Sequence, residues 1–165
     1  MLYAISGVQG SGKTTIMREL LHHNPHITQL ITYTTRSPRP DEVNGVDYHF
    51  ISEGRFQELL STEYFVYPIE YRMKHYGIAM SDLLVTKVVD TIAVLRPDSY
   101  PDLRLLVPLV GIYIFTVQNE VIPNPQDKPI YENIHLCDYQ VENVWGNIAI
   151  AVEGIEKIIQ KHSGG

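Results

Sequence analysis

The chain has 165 residues, of which 19% are charged and 44% apolar, with a formal charge of −6 and one cysteine. That size suits one domain spanning residues 1–165, and the composition excludes a disordered chain and an intramolecular disulfide. The acidic balance disfavours nonspecific nucleic-acid binding, and no run nears the roughly 20 apolar residues that span a bilayer. With no signal-like segment after Met1, the expected location is the cytoplasm, with neither nucleic acid nor membrane as partner.

The run Leu2-Tyr3-Ala4-Ile5-Ser6 reads as a buried strand. It leads into Gly7-Val8-Gln9-Gly10-Ser11-Gly12-Lys13-Thr14, which has the phosphate-loop spacing of two glycines, a lysine and a hydroxyl residue. Such a loop turns backbone N–H groups inward beside the positive end of a helix dipole and so holds a polyphosphate. Gly7, Gln9, Gly10, Ser11, Gly12, Lys13, Thr14 and Thr15 are the expected contacts to ATP. Lys13 neutralises the β- and γ-phosphates, and the Thr14 hydroxyl ligates Mg2+. Ile16, Met17, Leu20 and Leu21 give the next segment, about Lys13 to His23, an apolar helical face.

Gln29 to Thr35 reads as a strand, and Arg36-Ser37-Pro38-Arg39-Pro40 is too rich in proline for either regular element. Asn44-Gly45 marks a turn before a short strand at Asp47 to Ile51. Ser52 caps a helix bearing Phe56, Leu59 and Leu60. Tyr64 to Tyr71 and Tyr76 to Ala79 read as strands around the basic turn Arg72-Met73-Lys74, and Ser81 caps a helix holding Leu83, Leu84, Lys87 and Val88. Thr91 to Leu95, Val110 to Thr116 and His135 to Val141 read as buried strands, with Cys137 a structural thiol in the last. Asn147 to Lys161 is a final amphipathic helix. This alternation predicts an α/β protein, a three-layer P-loop NTPase fold around a central parallel sheet, with a small strand-rich insertion at about 34–80.

Two arginines three positions apart on a proline-braced loop present guanidinium forks to one phosphate. The segment from Thr32 through Arg36, Arg39, Gly45, Asp47 and Tyr48 to Phe50 resembles the hallmark segment of guanylate kinases. The resemblance implies a nucleoside monophosphate-binding region in which Arg36, Arg39, Tyr48 and Tyr76 hold the phosphate of GMP or dGMP and Thr32 faces the guanine. It also implies that Asn143 lies near the adenine of ATP. The resulting activity is transfer of the γ-phosphoryl group of ATP to GMP, giving GDP and ADP.

The chain departs from that pattern in three places. The family's guanine-reading glutamate falls at Tyr67, so Glu70 serves only if a bulge shifts the register, and the serine after Tyr-Gly is Ile78. At the end of the central strand only Asp98 remains as a carboxylate, while Arg96 is a new charge, either a replacement catalytic cation or a surface ion pair. The lid, about 117–134, is short, interrupted by three prolines and free of arginine, with Lys128 its basic residue in the stretch 117–132. The missing cations come from Arg36, Arg96, Lys128 or a second subunit of a homo-oligomer. A weakly active or inactive binding module, and a kinase for a different small phosphorylated acceptor, are the alternative readings.

Overall fold

The computed structural model describes residues 1–117 and 124–163. Its elements in chain order are β1 (Leu2–Ser6), α1 (Lys13–His23), β2 (Thr28–Gln29), β3 (Tyr33–Thr34), β4 (His49–Phe50) and α2 (Glu53–Ser61). There follow β5 (Phe65–Tyr71), β6 (Lys74–Ala79), α3 (Met80–Val85), β7 (Thr91–Val94), α4 (Tyr100–Arg104) and β8 (Leu109–Phe115). The chain ends with α5 (Lys128–Tyr131), β9 (Tyr139–Glu142) and α6 (Ile148–Ser163), and single 3-10 turns lie at Pro97–Ser99, Pro125–Asp127 and Ile134–Leu136. Two compact units result, one comprising residues 1–29 and 86–165, the other Leu30–Val85.

In the first unit a five-stranded, fully parallel sheet runs in the order β2-β7-β1-β8-β9. Parallel strands are covered on both faces, so they read as continuous apolar runs. All five residues of β1 are buried, as are the first six of β8. Tyr3 and Ile5 of β1, with Ile112 and Ile114 of β8, face a core closed by Ile16, Met17 and Leu20 of α1 and by Ala151, Val152, Ile155 and Ile159 of α6. The other face is closed by α4, where the fully buried Tyr100 donates its hydroxyl to Ala4 O (3.0 Å). The expected three layers follow from this arrangement: helices, parallel sheet, helix.

The second unit holds a four-stranded sheet in the order β4-β3-β6-β5, with β3–β4 parallel and the other pairs antiparallel. Ser52 caps α2 by accepting from Arg55 N (3.1 Å). Phe56, fully buried, stacks on Phe65 of β5 and His75 of β6.

Several expected elements differ in detail. The run 29–35 divides, β2 joining the parallel sheet and β3 the smaller one. Arg72 and Met73 alone form the hairpin turn, both with positive φ (52° and 56°), and Lys74 already belongs to β6. Ser81 lies inside α3, which ends at Val85 and leaves Val88 exposed. Cys137 is not in a strand: it joins a 3-10 turn to β9, half-buried, and burial raises its thiol pKa to about 11. That value suits the expected inert, structural thiol. Of the lid segment, 118–123 lies outside the described residues. The rest is broken by Pro125 and Pro129 into a 3-10 turn and the four-residue α5.

Gly111 of β8 lies under the ring of Tyr100, where an added Cβ would sit 2.5 Å from ring carbon Cε2 and 3.3 Å from Cys137 Cα. Because Tyr100 is anchored on Ala4 O, it has no free direction in which to move. Gly111→Ala is expected to destabilise the protein by about 1–3 kcal/mol, read as a lower midpoint of urea unfolding at unchanged slope.

Candidate functional site: two anion cradles

The first cradle is built on the central strand of the parallel sheet. β1 ends at Ser6 and the chain turns through residues 7–12 into α1, so the loop caps the carboxyl end of the strand, where open α/β sheets bind ligands. Gly7 is pressed onto β8, for an added Cβ would meet Ile114 O and Ser11 Oγ, each at 2.6 Å. Gly12 takes a left-handed conformation (φ 89°) at the N-cap of α1, and the side-chain amide of Asn143 occupies the space its Cβ would need. Asn143 Nδ2 donates to Ser11 O (3.0 Å), and Ser11 N donates to Val8 O (3.2 Å). Asn143, read from the sequence as an adenine contact, is thus a tether of the loop.

Lys13 stands in the first turn of α1 and donates from Nζ to Val8 O (2.8 Å). Burial lowers its pKa to about 8, and the charge of Asp127 acts in the opposite sense. Thr14 and Thr15 are exposed at the mouth of the helix, and the buried Ser11 Oγ has no hydrogen-bond partner among the described residues.

Asp127 is the residue the sequence did not suggest. It closes the 3-10 turn that Asn124 caps, is only 2% exposed, and accepts from Gln9 N of the loop (3.4 Å). An amide expected to face phosphate therefore faces a carboxylate. The one local signal that could have pointed to that turn is Asn124-Pro125, the cap and proline at its start. Its contact with a loop 118 positions away had no such signal.

Arg96 and Asp98 are brought together, but with each other. The guanidinium grips the Asp98 carboxylate in a fork, Nε donating to Oδ1 (3.0 Å) and Nη2 to Oδ2. The ion-pair reading of Arg96 is the one found, and as a catalytic cation it would first have to leave its neighbour.

The second cradle lies in the smaller unit. Arg36 follows β3 and donates bidentately to Glu42, Nη1 to Oε2 (2.8 Å) and Nη2 to Oε1 (2.9 Å), while its carbon centre lies 5.3 Å above the ring of Tyr48 and 5.6 Å above that of Phe50. The hydrogen bonds it donates to Glu42, with a further one to Tyr76, hold the guanidinium charged well above its ordinary range. In return Arg36 holds the Glu42 carboxyl below the usual value. Burial raises the Tyr48 phenol pKa, with Tyr76 adding to it, and the rings of Tyr48 and Tyr76 pack edge to face at 6.1 Å. Arg39 is exposed, its backbone N–H bound to Glu42 Oε2 (2.7 Å) and its charge felt at Tyr48. Thr32, half-buried, precedes β3 and accepts from His49 N (2.9 Å).

The bulge that Glu70 required exists, because the register of β5 against β6 shifts between Val66 and Ile69, with Tyr67 at φ 48°. It delivers Glu70 to the wrong face. Ile69 pairs with Tyr76, whereas Glu70 pairs with His75 and lies 4.0 Å from its ring. Neighbouring residues of a strand point to opposite faces, so Glu70 lies on the side of Phe56 and α2, opposite Tyr76 and Tyr48. Ile78 is buried and cannot offer a polar contact.

A guanylate kinase family model matches residues 1–98. The chain belongs to the guanylate kinase family. It is 43% identical to a guanylate kinase of Trichormus variabilis over 76 residues, which are 46% of this chain and 38% of the relative. Over 180 residues it is 28% identical to a guanylate kinase of Lactobacillus johnsonii, covering 97% of this chain and 88% of the relative. The chain thus spans about two fifths of the length of the first of these relatives, while the second is matched nearly throughout. The fold resembles the crystal structure of guanylate kinase from Anaplasma phagocytophilum with a TM-score of 0.77, at 22% identity, over all of this chain and 87% of the other. No helix among the described residues is long and apolar enough to cross a membrane.

Asp127 and Lys13 give the first cradle a measurable signature. At pH 7, Asp127→Asn is expected to tighten binding of inorganic tripolyphosphate by roughly fivefold, about 1 kcal/mol of relieved like-charge repulsion. Lys13 carries its charge below its pKa of about 8 and loses it above, so affinity falls as pH rises through that value. In Asp127→Asn the fall should begin at lower pH, because the carboxylate that favours the charged lysine is gone. Calorimetric titrations across pH 6–10 read both effects.

Proposed function

We propose that the chain is a nucleoside monophosphate kinase that moves the γ-phosphoryl group of ATP onto the phosphate of GMP or dGMP. One observation carries this reading: the chain holds two separately built anion cradles, a phosphate loop with Lys13 on one unit and the Arg36–Tyr48–Tyr76 cluster on the other. In the reaction an acceptor phosphate oxygen attacks Pγ, the bond from Pγ to the β,γ-bridging oxygen breaks, and ADP leaves with that oxygen. The attacking oxygen is already anionic, so no strong general base is required.

In this reading the loop amides and Lys13 hold the β- and γ-phosphates. Thr14 would supply one hydroxyl to a magnesium ion. The Thr14 hydroxyl, exposed in the first turn of α1 directly after Lys13, fits as such a ligand. The chemistry supplied with the ion bound would be neutralisation of phosphate charge. Arg36 and Arg39 grip the acceptor phosphate and Tyr48 and Tyr76 donate hydroxyls to it, which requires Arg36 to exchange or share its Glu42 partner.

A second reading, a kinase for a different small phosphorylated acceptor, is favoured by Glu70 and Ile78. One lies on the far face of its sheet and the other is buried, so neither is placed to read a guanine edge. A binding module without turnover is favoured by the Asp127 carboxylate on the loop and by the shortage of lid cations. Release of ADP, followed by a coupled assay across the common ribo- and deoxyribonucleoside monophosphates, separates the three. Saturable release with GMP or dGMP supports the first, release with another acceptor the second, and no release with any acceptor the third.

Lys13→Ala is expected to abolish ATP binding or transfer. Arg39→Ala should weaken acceptor binding by roughly tenfold or more, the loss of a charged hydrogen bond of about 1.5–3 kcal/mol, with little change for ATP. Unchanged acceptor affinity in a folded Arg39→Ala protein would remove Arg39 from the acceptor site.

A further inference from the structure

We propose that Asp127 sets the length of polyphosphate that the loop accepts, an inference that rests on the donor reading of the phosphate loop. Its carboxylate takes the place of a terminal phosphate, so the loop as folded holds a diphosphate and admits a triphosphate only when Asp127 withdraws. Asp127 is 2% exposed, and a carboxylate is almost never so covered unless it is paired. Its partners include the groups that would meet an anion. Oδ2 accepts from Gln9 N (3.4 Å), and its charge favours the protonated form of Lys13, whose Nζ rests on Val8 O within the same arc (2.8 Å). In a loop of this kind the lysine reaches the β- and γ-phosphates while the amides cradle the phosphates behind them. A carboxylate beside Lys13 therefore lies at the end of the loop where a third phosphate arrives.

The carboxylate is presented on a braced support. Asn124 Oδ1 accepts from Gln126 N (3.0 Å) and Asn124 O from Asp127 N (2.8 Å), which closes the 3-10 turn that leads into α5. Ile130 of α5 is buried, and α5 lies beside the 3-10 turn at Pro97–Ser99. A third phosphate brought to Lys13 meets the Asp127 charge at close range in partly desolvated surroundings, where repulsion is several times its value in water. A diphosphate stops short of that point. A donor for it remains, because Ser11 Oγ, 1% exposed and beside Gly7, has no hydrogen-bond partner among the described residues. The support can also give way. α5 is four residues long, so shifting it breaks few backbone hydrogen bonds. ADP thus fits beside Asp127, whereas ATP displaces it.

The test titrates inorganic pyrophosphate and tripolyphosphate calorimetrically in magnesium-free buffer at pH 7. Asp127→Asn, which removes the charge and keeps the shape, should tighten tripolyphosphate by roughly fivefold and pyrophosphate by less than about twofold. A second measurement uses the wild-type protein alone. Tripolyphosphate should speed hydrogen exchange at the amides of Asp127 and Glu132, which are bonded to Asn124 O and Lys128 O, and pyrophosphate should leave both unchanged. The same factor for both ligands in Asp127→Asn, or tripolyphosphate binding without faster exchange at those amides, would overturn the length selection and leave the donor reading standing. Failure of the wild-type protein to bind either ligand would overturn both.

Discussion

The seating of one loop on one sheet underlies the rest of this protein. Residues 7–12 leave the central strand β1, press Gly7 against Ile114 O of β8, and are tethered by Asn143 beyond β9. Three neighbouring parallel strands thereby fix a short backbone arc, in which Gln9 N is bound to Asp127 and Ser11 N to Val8 O. The arc keeps its shape because the sheet beneath is rigid. That sheet is rigid because β1 and β8 are apolar on both faces and covered on both, by α1 with α6 and by α4. Preorganisation of this kind is the main thing a protein contributes to phosphoryl transfer, which needs alignment and positive charge more than covalent help.

Charge at the two cradles is arranged unlike. In the smaller unit, Arg36 is held by Glu42 and by the aromatic faces of Tyr48 and Phe50, so its guanidinium is oriented before any ligand arrives. At the phosphate loop the lysine is partly desolvated and the nearest acidic group, Asp127, sits on a loop amide. Each cluster thus contains a carboxylate, Asp127 on a loop amide and Glu42 on a guanidinium.

The two charged residues that end the central region illustrate how pairing removes candidates. Asp98 was read as the remaining carboxylate near the nucleotide and Arg96 as either a catalytic cation or an ion pair, and their fork-like contact pairs the two charges over two residues of chain. Glu70 is lost to the site by a simpler rule. The bulge at Tyr67 shifts the register, but parity along a strand then decides the face, and Glu70 falls with His75 rather than with Tyr76.

The sequence by itself determined whatever depends on neighbouring residues. The phosphate-loop spacing, the first helix, the Ser52 cap, the continuous apolar strands and the Arg36–Arg39 loop are short-range patterns, because backbone geometry and strand periodicity act over a few residues. The tertiary structure alone decided which distant groups meet them. Asn143 reaches Ser11 across 132 positions and Asp127 reaches Gln9 across 118, contacts set by the order of strands in the sheet and by the path of the chain back over it. Sheet order and strand parity are properties of the assembled fold, and they made Asn143 a tether and Glu70 a residue of the opposite face.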